Sequence, residues 1–185
     1  MGGMIYSFEG KTPRIHPSAY LAPGCLIIGD VEIGEDANIW PGVVLRGDVG
    51  GIRIGARVNI QDGTIVHVET GHDTVLEEDV TVGHQAMIHG CHIEPGCLIG
   101  MSATVLSRAR VGKGSIVGGG AVVLQDQEIP PFSLAAGVPA KVKRELEPET
   151  YKDRLKHAGY YVELGKRHGE SLTLVERADI EAPGE

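Results

Sequence analysis

The chain has few aromatic residues and few cysteines, and it lacks long apolar runs. Aromatic side chains make up only 4% of the 185 residues, which argues against a core built from large rings. Three cysteines are too few for a disulfide framework. No apolar stretch approaches the ~20 residues that a membrane-spanning helix needs, and residues 1–10 show no secretory signal. We therefore expect a cytoplasmic protein.

Charge excludes two further classes of partner. Seventeen basic and 25 acidic residues give a formal net charge of −8, and the basic residues form no run. Nucleic acid and anionic membrane surfaces attract concentrated positive charge, so we expect neither as a partner.

What the chain does contain is a six-residue repeat. Aliphatic residues recur at this period, with interruptions, from Ile15 to Val123, and a small or β-branched residue follows four positions later. The repeating aliphatic positions are Ile15, Leu21, Ile27, Ile33, Ile39, Leu45, Ile54, Ile60, Val66, Leu76, Val82, Ile88, Ile93, Ile99, Val105, Val111, Val117 and Val123. A six-residue period of this length is typical of parallel β-helices, in which each coil must stack on its neighbours to bury its apolar face.

The pattern resembles the left-handed parallel β-helix of hexapeptide-repeat proteins, and that resemblance implies the handedness. We predict an all-β fold of this kind over residues 1–146, followed by a C-terminal α-helix over residues 147–169 that packs on the β-helix. Pro148 suits the first turn of this helix, and Gly169 is expected to end it. Residues 170–185 are predicted to form a loose tail.

Counting hexads predicts which side chains stack. Leu45, Val66 and Ile88 are 21 and 22 residues apart, which is one 18-residue coil plus three and then four inserted residues. If the inserted residues bulge outward, the residues that follow these three also stack. They are Arg46, His67 and His89. On the next side of the triangle, Asp62 and His84 stack by the same argument, with Gln61 beside them.

The polar residues therefore fall into two groups on different faces of the prism. The first group contains Arg46, Asp48, His67 and His89, and the second contains Gln61, Asp62 and His84. One prism cannot bring both groups to a single ion, but a ring of three prisms can, because heterologous contacts close into cyclic assemblies. We predict a homotrimer with metal sites shared between subunits.

The order of these residues resembles the γ-class carbonic anhydrase family. The motifs are Arg46-Gly47-Asp48, Asn59-Ile60-Gln61-Asp62, His67, Gly83-His84 and His89-Gly90. The resemblance implies that His67 and His89 of one subunit and His84 of the next bind the metal. It also implies an Arg46–Asp62 pair across the interface, a Gln61 amide that orients the metal-bound water, and Asp48 in support. Tyr161 would reach the site from the C-terminal helix, with Tyr160 as the alternative.

These residue types suit the chemistry that the resemblance implies. Three neutral imidazoles leave a zinc ion one open position for water, and the ion lowers the pKa of that water to about 7. Hydroxide would then attack carbon dioxide and form bicarbonate. Zinc is the expected metal, with ferrous iron or cobalt as alternatives, because imidazole suits all three.

Two departures from the family pattern predict slow or buffer-dependent turnover. Val49 stands where well-characterised relatives carry a glutamate, and the loop between Val66 and Leu76 is too short to hold their acidic segment. Glu69, in this loop, is a candidate substitute for carrying protons.

Two other functions also suit the repeat. One is a hexapeptide acyltransferase that uses acyl-coenzyme A, although this would leave the three histidines unexplained. The other is a metal-binding protein without strong hydratase activity, similar to the relatives that carry siderophore-binding or phenylacetate-pathway labels.

Overall fold

The chain folds as a coil of short strands that ends in one helix. A computed structural model describes residues 3–176. It shows a left-handed parallel β-helix of about seven turns followed by a single α-helix, so the predicted fold is confirmed. No helix within residues 3–176 is both long enough and apolar enough to cross a membrane.

The strands form three faces of a prism. Face 1 contains β1 (Met4–Tyr6), the first halves of β4 (Leu26–Ile33) and β6 (Val44–Ile54), β8 (Ile65–His67), β11 (Met87–His89), β14 (Thr104–Val105) and β17 (Val122–Val123). Face 2 contains β2 (Arg14–Ile15), the second halves of β4 and β6, β9 (Thr74–Leu76), β12 (His92–Ile93), β15 (Arg110–Val111) and β18 (Glu128–Ile129). Face 3 contains β3 (Tyr20–Leu21), β5 (Asn38–Ile39), β7 (Asn59–Ile60), β10 (Thr81–Val82), β13 (Leu98–Ile99), β16 (Ile116–Val117), β19 (Ser133–Ala136) and the antiparallel β20 (Lys141–Glu145).

The strand register follows the hexad count. Val66 pairs with Leu45 on one side and with Ile88 on the other, and Val82 pairs with Ile60. The three residues inserted after Leu45 extend β6 around the corner between faces 1 and 2. Because these insertions lie at a corner, the pairing on both sides of them stays in phase, as predicted.

The core is a narrow column of aliphatic and small residues. Repeat positions such as Ile60, Val82 and Ile99 are fully buried, and the small residues of the repeat fill the space between them. The three cysteines occupy this column, at 0%, 2% and 1% exposure for Cys25, Cys91 and Cys97. They therefore act as small apolar residues.

This burial predicts unreactive thiols. Removal from water raises the pKa of Cys25 to about 11 and the pKa values of Cys91 and Cys97 to about 12. The thiolate is the reactive form, so the folded protein should react with almost no Ellman's reagent at pH 8, whereas the unfolded protein should release three equivalents. Fast reaction of one thiol in the folded state would contradict the buried position of that residue.

Two glycines allow a close approach between consecutive coils on face 1. Gly29 has a φ of +78°, and a Cβ placed on it would lie 2.3 Å from the carbonyl oxygen of Gly47. A Cβ on Gly47 would lie 2.5 Å from the carbonyl oxygen of Asp30. Only glycine fits such contacts without moving the backbone.

The C-terminal helix differs slightly from its predicted limits. A short 3₁₀ turn over Pro148–Thr150 leads into α1 (Tyr151–Ser171), which lies along face 3 against β3, β5, β7 and β10. The sequence predicts an end at Gly169, but the helix continues two residues further. Gly169 does not adopt a positive φ and lies over the ring of Tyr20, so this glycine packs against the ring instead of ending the helix. Residues 172–176 have no regular structure, and the rest of the predicted tail lies outside the described residues.

The start of α1 is fixed by an aromatic anchor. The Tyr151 ring packs so closely on two corner glycines that a Cβ on Gly96 would lie 2.2 Å from it, and one on Gly114 would lie 3.0 Å from it. Phe132 meets the same ring edge-on at 6.0 Å. This contact sets the position of the helix, and with it the position of the residues further along its length.

Candidate metal centre

His67 and His89 form a stacked imidazole pair on face 1. They are direct partners in the β8–β11 pairing, as the hexad count predicts. His67 Nδ1 and His89 Nε2 lie 3.2 Å apart, and both rings are mostly shielded from solvent. Two nitrogens therefore point at a common place on the prism surface.

Each ring is held from its opposite nitrogen. His67 Nε2 lies 2.9 Å from Asp48 Oδ1, and His89 Nδ1 lies 2.9 Å from Ser107 Oγ. Partners of this kind fix the tautomer and the orientation of histidines that bind metals. Thr74 ties the two strands together, because its hydroxyl donates to the His67 carbonyl and accepts from the Gly90 N–H.

The charge around the pair keeps Asp48 ionised. Burial opposes ionisation, but hydrogen bonds from His67, Arg46 and the Val49 N–H outweigh it and lower the pKa of Asp48 to about 2. Burial, together with the nearby His67 and Arg46, lowers the pKa of His89 below its usual value. A neutral imidazole is the form that binds a metal ion.

The second predicted group lies on the other side of the prism. His84 Nδ1 is 3.0 Å from Asp62 Oδ2, and Gln61 is buried beside them under the helix. Within residues 3–176, no cluster of three histidine, cysteine or acidic side chains could hold a metal on one chain. The separation of the two groups thus agrees with the sequence prediction, and their convergence in a trimer stays a prediction.

Arg46 and Asp62 have other partners within the chain. Arg46 contacts Asp48, and Asp62 contacts His84, so each predicted partner in the Arg46–Asp62 pair is occupied by a neighbour in its own group. A pair between subunits stays a prediction that a single chain does not test.

Tyr161, and not Tyr160, faces the second group. Tyr161 lines a cleft of about 270 Å³ together with Gln61 and His84, whereas Tyr160 is 57% exposed. Burial, aided by Tyr160 and Asp62, raises the pKa of Tyr161, so its hydroxyl stays protonated and can donate a hydrogen bond. Trp40 lies edge-on against the Tyr161 ring at 5.9 Å beneath α1.

The paired imidazoles fit a metal ion. Two nitrogens bound to one tetrahedral zinc at ~2.0–2.1 Å would be about 3.3 Å apart. The separation of 3.2 Å between His67 Nδ1 and His89 Nε2 is close to this value. The remaining ligands must come from elsewhere, which suits a third histidine from a neighbouring subunit.

The sequence did not predict that Ser107 and Thr74 form hydrogen bonds beside the histidine pair. Ser107 lies one coil beyond Gly90, and the same register count that pairs Ile88 with Val105 could have placed it there. Thr74 is the first residue of β9, and the hexad period places it opposite Ile52 but does not reveal the contacts of its hydroxyl. His168 packs edge-on against Trp40, and the exposed His157 lines the cleft with Tyr161.

Comparisons with known proteins identify relatives among hexapeptide-repeat proteins and carbonic anhydrases. The protein-family profile described as "Bacterial transferase hexapeptide (six repeats)" matches residues 12–47 and 90–125. A carbonic anhydrase of Geobacillus kaustophilus is 44% identical over 88% of this chain and 90% of its own length. Gamma carbonic anhydrase 2 of Arabidopsis thaliana mitochondria is 38% identical over 92% of this chain and 64% of its own length.

A solved structure carries a different label. A Bacillus cereus protein, provisionally described as an acetyltransferase, superposes with a TM-score of 0.89 and 44% identity over 92% of this chain and 99% of its own. The label concerns that protein, and the likeness covers most of this chain. Taken with the carbonic anhydrase relatives and the stacked histidines, these matches show that the chain belongs to the γ-class carbonic anhydrase family of hexapeptide-repeat proteins.

Proposed function

We propose that this protein catalyses the reversible hydration of carbon dioxide to bicarbonate in the cytoplasm, as a homotrimer with three metal sites. In each site, His67 and His89 of one subunit and His84 of the next would hold a divalent cation, with zinc as the expected metal. The observation that carries the proposal is the His67–His89 pair, whose facing nitrogens lie 3.2 Å apart.

The position of the second group supports a trimer. His84 and Asp62 are about half exposed on the isolated chain, at 47% and 49% of their side-chain surface, so a neighbouring prism can reach them. Apposing face 1 of one subunit to the corner after face 3 of the next repeats one contact three times and closes the ring.

The metal, when bound, would lower the pKa of a coordinated water to about 7 and so supply the nucleophile at neutral pH. The protein residues orient the histidine rings and the reacting water. Asp48 and Ser107 hold the His67 and His89 rings with their other nitrogens facing each other. Asp62 does the same for His84. The buried Gln61 amide can both donate and accept, which suits the positioning of water, and the Tyr161 hydroxyl supplies a further donor.

The test combines metal analysis with stopped-flow hydration of carbon dioxide. We expect about one ion per chain and hydration well above the buffer rate. His84→Ala should lower kcat/KM by at least ~10²-fold, because even changes to the partners of metal ligands cost 10–100-fold. His16→Ala, which changes the same residue type on an exposed loop, should leave the rate unchanged. A metal-loaded wild type no faster than buffer would contradict the proposal.

The acyltransferase alternative rests on the description of the Bacillus cereus relative. It predicts saturable binding of acetyl-coenzyme A and less than about one ion per three chains. The metal-binding alternative predicts full metal content without hydration. The two assays therefore separate all three functions.

A further inference from the structure

The seam between face 3 and α1 contains polar atoms without partners. Five buried side-chain atoms in residues 3–176 make no hydrogen bond, and all of them lie along this seam. They are Tyr20 Oη, Asn59 Nδ2, Thr81 Oγ1, Arg154 Nε and Arg154 Nη2. Buried polar atoms are almost always satisfied by protein or water, so such a concentration indicates that the seam holds water.

One of these atoms lies in the wall of the Tyr161 cleft. Thr81 is only 4% exposed and lines this cleft, as do Gln61 and His84. The cleft volume of about 270 Å³ accommodates several waters. The unpartnered Thr81 hydroxyl can bind one of these waters, on the cleft wall that also contains the Gln61 amide.

A histidine lies on the helix side of the same cleft. His157 is one helical turn before Tyr161, and their rings meet edge-on with centroids 5.1 Å apart. His157 lines the cleft and is also exposed to solvent. It therefore joins the interior of the cleft to bulk water.

Glu69, the acid that the sequence suggests for proton export, already forms an ion pair. Glu69 pairs with Arg108, and Arg108 also binds Asp126 through Nε at 2.7 Å. A carboxylate held in this network is poorly placed to pick up and release protons. Val49, on the other side of the site, carries no titratable group.

We propose that His157 exports the proton produced by carbon dioxide hydration, through water bound in the cleft at Thr81. This inference rests on the proposed function. Hydration yields bicarbonate and one proton, which passes through cleft water to a neutral His157 ring nitrogen. The imidazolium then releases it to buffer, so His157 returns to its starting state after each turnover. Histidine suits this role because its charge changes near neutral pH.

Several titratable groups face His157. His84 and Tyr161 share its cleft, Asp62 lies behind His84, and Asp153 is one turn earlier on α1.

The experiment separates proton export from the chemical step. The experiment compares wild type with His157→Ala, Thr81→Val and the control His16→Ala, each in ~1 mM and ~50 mM buffer. Both kcat and kcat/KM are measured, because proton export limits kcat but not kcat/KM. In dilute buffer we expect His157→Ala to lower kcat by about 100-fold or more, with kcat/KM unchanged and kcat restored by added imidazole. Thr81→Val should lower kcat a few-fold under the same conditions.

Each failure has its own signature. If wild type is active and His157→Ala keeps the wild-type kcat in dilute buffer, the proton-export role is wrong while the proposed function stands. If only Thr81→Val behaves like wild type, the water held by Thr81 plays no part. If metal-loaded wild type does not hydrate carbon dioxide at all, the proposed function and this inference fail together.

Discussion

Co-expression of His84→Ala chains with His89→Ala chains should restore the carbon dioxide hydration that neither variant has alone. In a cyclic trimer, a His89→Ala subunit still offers its His84 to the neighbour, and a His84→Ala subunit still offers its His67–His89 pair. Every mixed trimer therefore contains one complete site. For equal amounts of the two chains that assemble at random, about a quarter of all sites should be complete. The hydration rate and the metal content should both recover to about this fraction.

The control for this experiment uses two variants from the same group. His67→Ala mixed with His89→Ala damages the same half of the site, so no mixture of these chains can complete it. Activity in this control, or none in the His84 and His89 mixture despite normal trimers, would show that the site is not shared between subunits as proposed.

Gly47→Ala should destabilise the protein by about 2–3 kcal/mol, because the added Cβ would lie 2.5 Å from the Asp30 carbonyl oxygen. A backbone oxygen cannot rotate away as a side chain can, so β4 and β6 must separate. Gly47 also connects Arg46 to Asp48, and the shift should loosen the Asp48–His67 contact. We expect a melting temperature lower by about 5–10 °C, measured at equal protein concentration, and weaker metal binding.

Gly159→Ala provides the matched control. Gly159 lies within α1, and no side chain or other segment of the fold comes within 4 Å of a Cβ placed there. The same substitution should therefore stabilise the protein by about 0.5–1 kcal/mol, because alanine favours a helix over glycine. If both variants melt at the same temperature as wild type, the close approach between the coils is not as tight as the structure indicates.

The hexad count predicted the stacking of His67 on His89 because parallel strand pairing carries a six-residue period through the whole coil. The count needed only the assumption that inserted residues leave the plane of the faces, and the corner in β6 justifies it. The count gives the position of each Cα but not the direction of each side chain.

For that reason the sequence could not predict the Asp48–His67 and Arg46–Asp48 contacts. Both involve residues at the insertion after Leu45, where the period is broken and local backbone geometry decides which partner is closest. The buried Arg154 on α1 was missed for a related reason, since an apolar stripe does not reveal which charged residue the helix also buries. The continuation of α1 past Gly169 depended on Tyr20, which lies about 150 residues away in the sequence.

The reversed strand β20 has a consequence for how these prisms behave in concentrated solution. A parallel coil leaves unpaired N–H and C=O groups at its open end, where a second molecule could continue the pairing and begin a fibre. β20 covers that edge on face 3, runs against the direction of every other strand, and is exposed along its whole length, with Lys141, Lys143 and Arg144 among its five residues. Charges of this kind repel another edge, so β20 protects the end of face 3 from polymerisation.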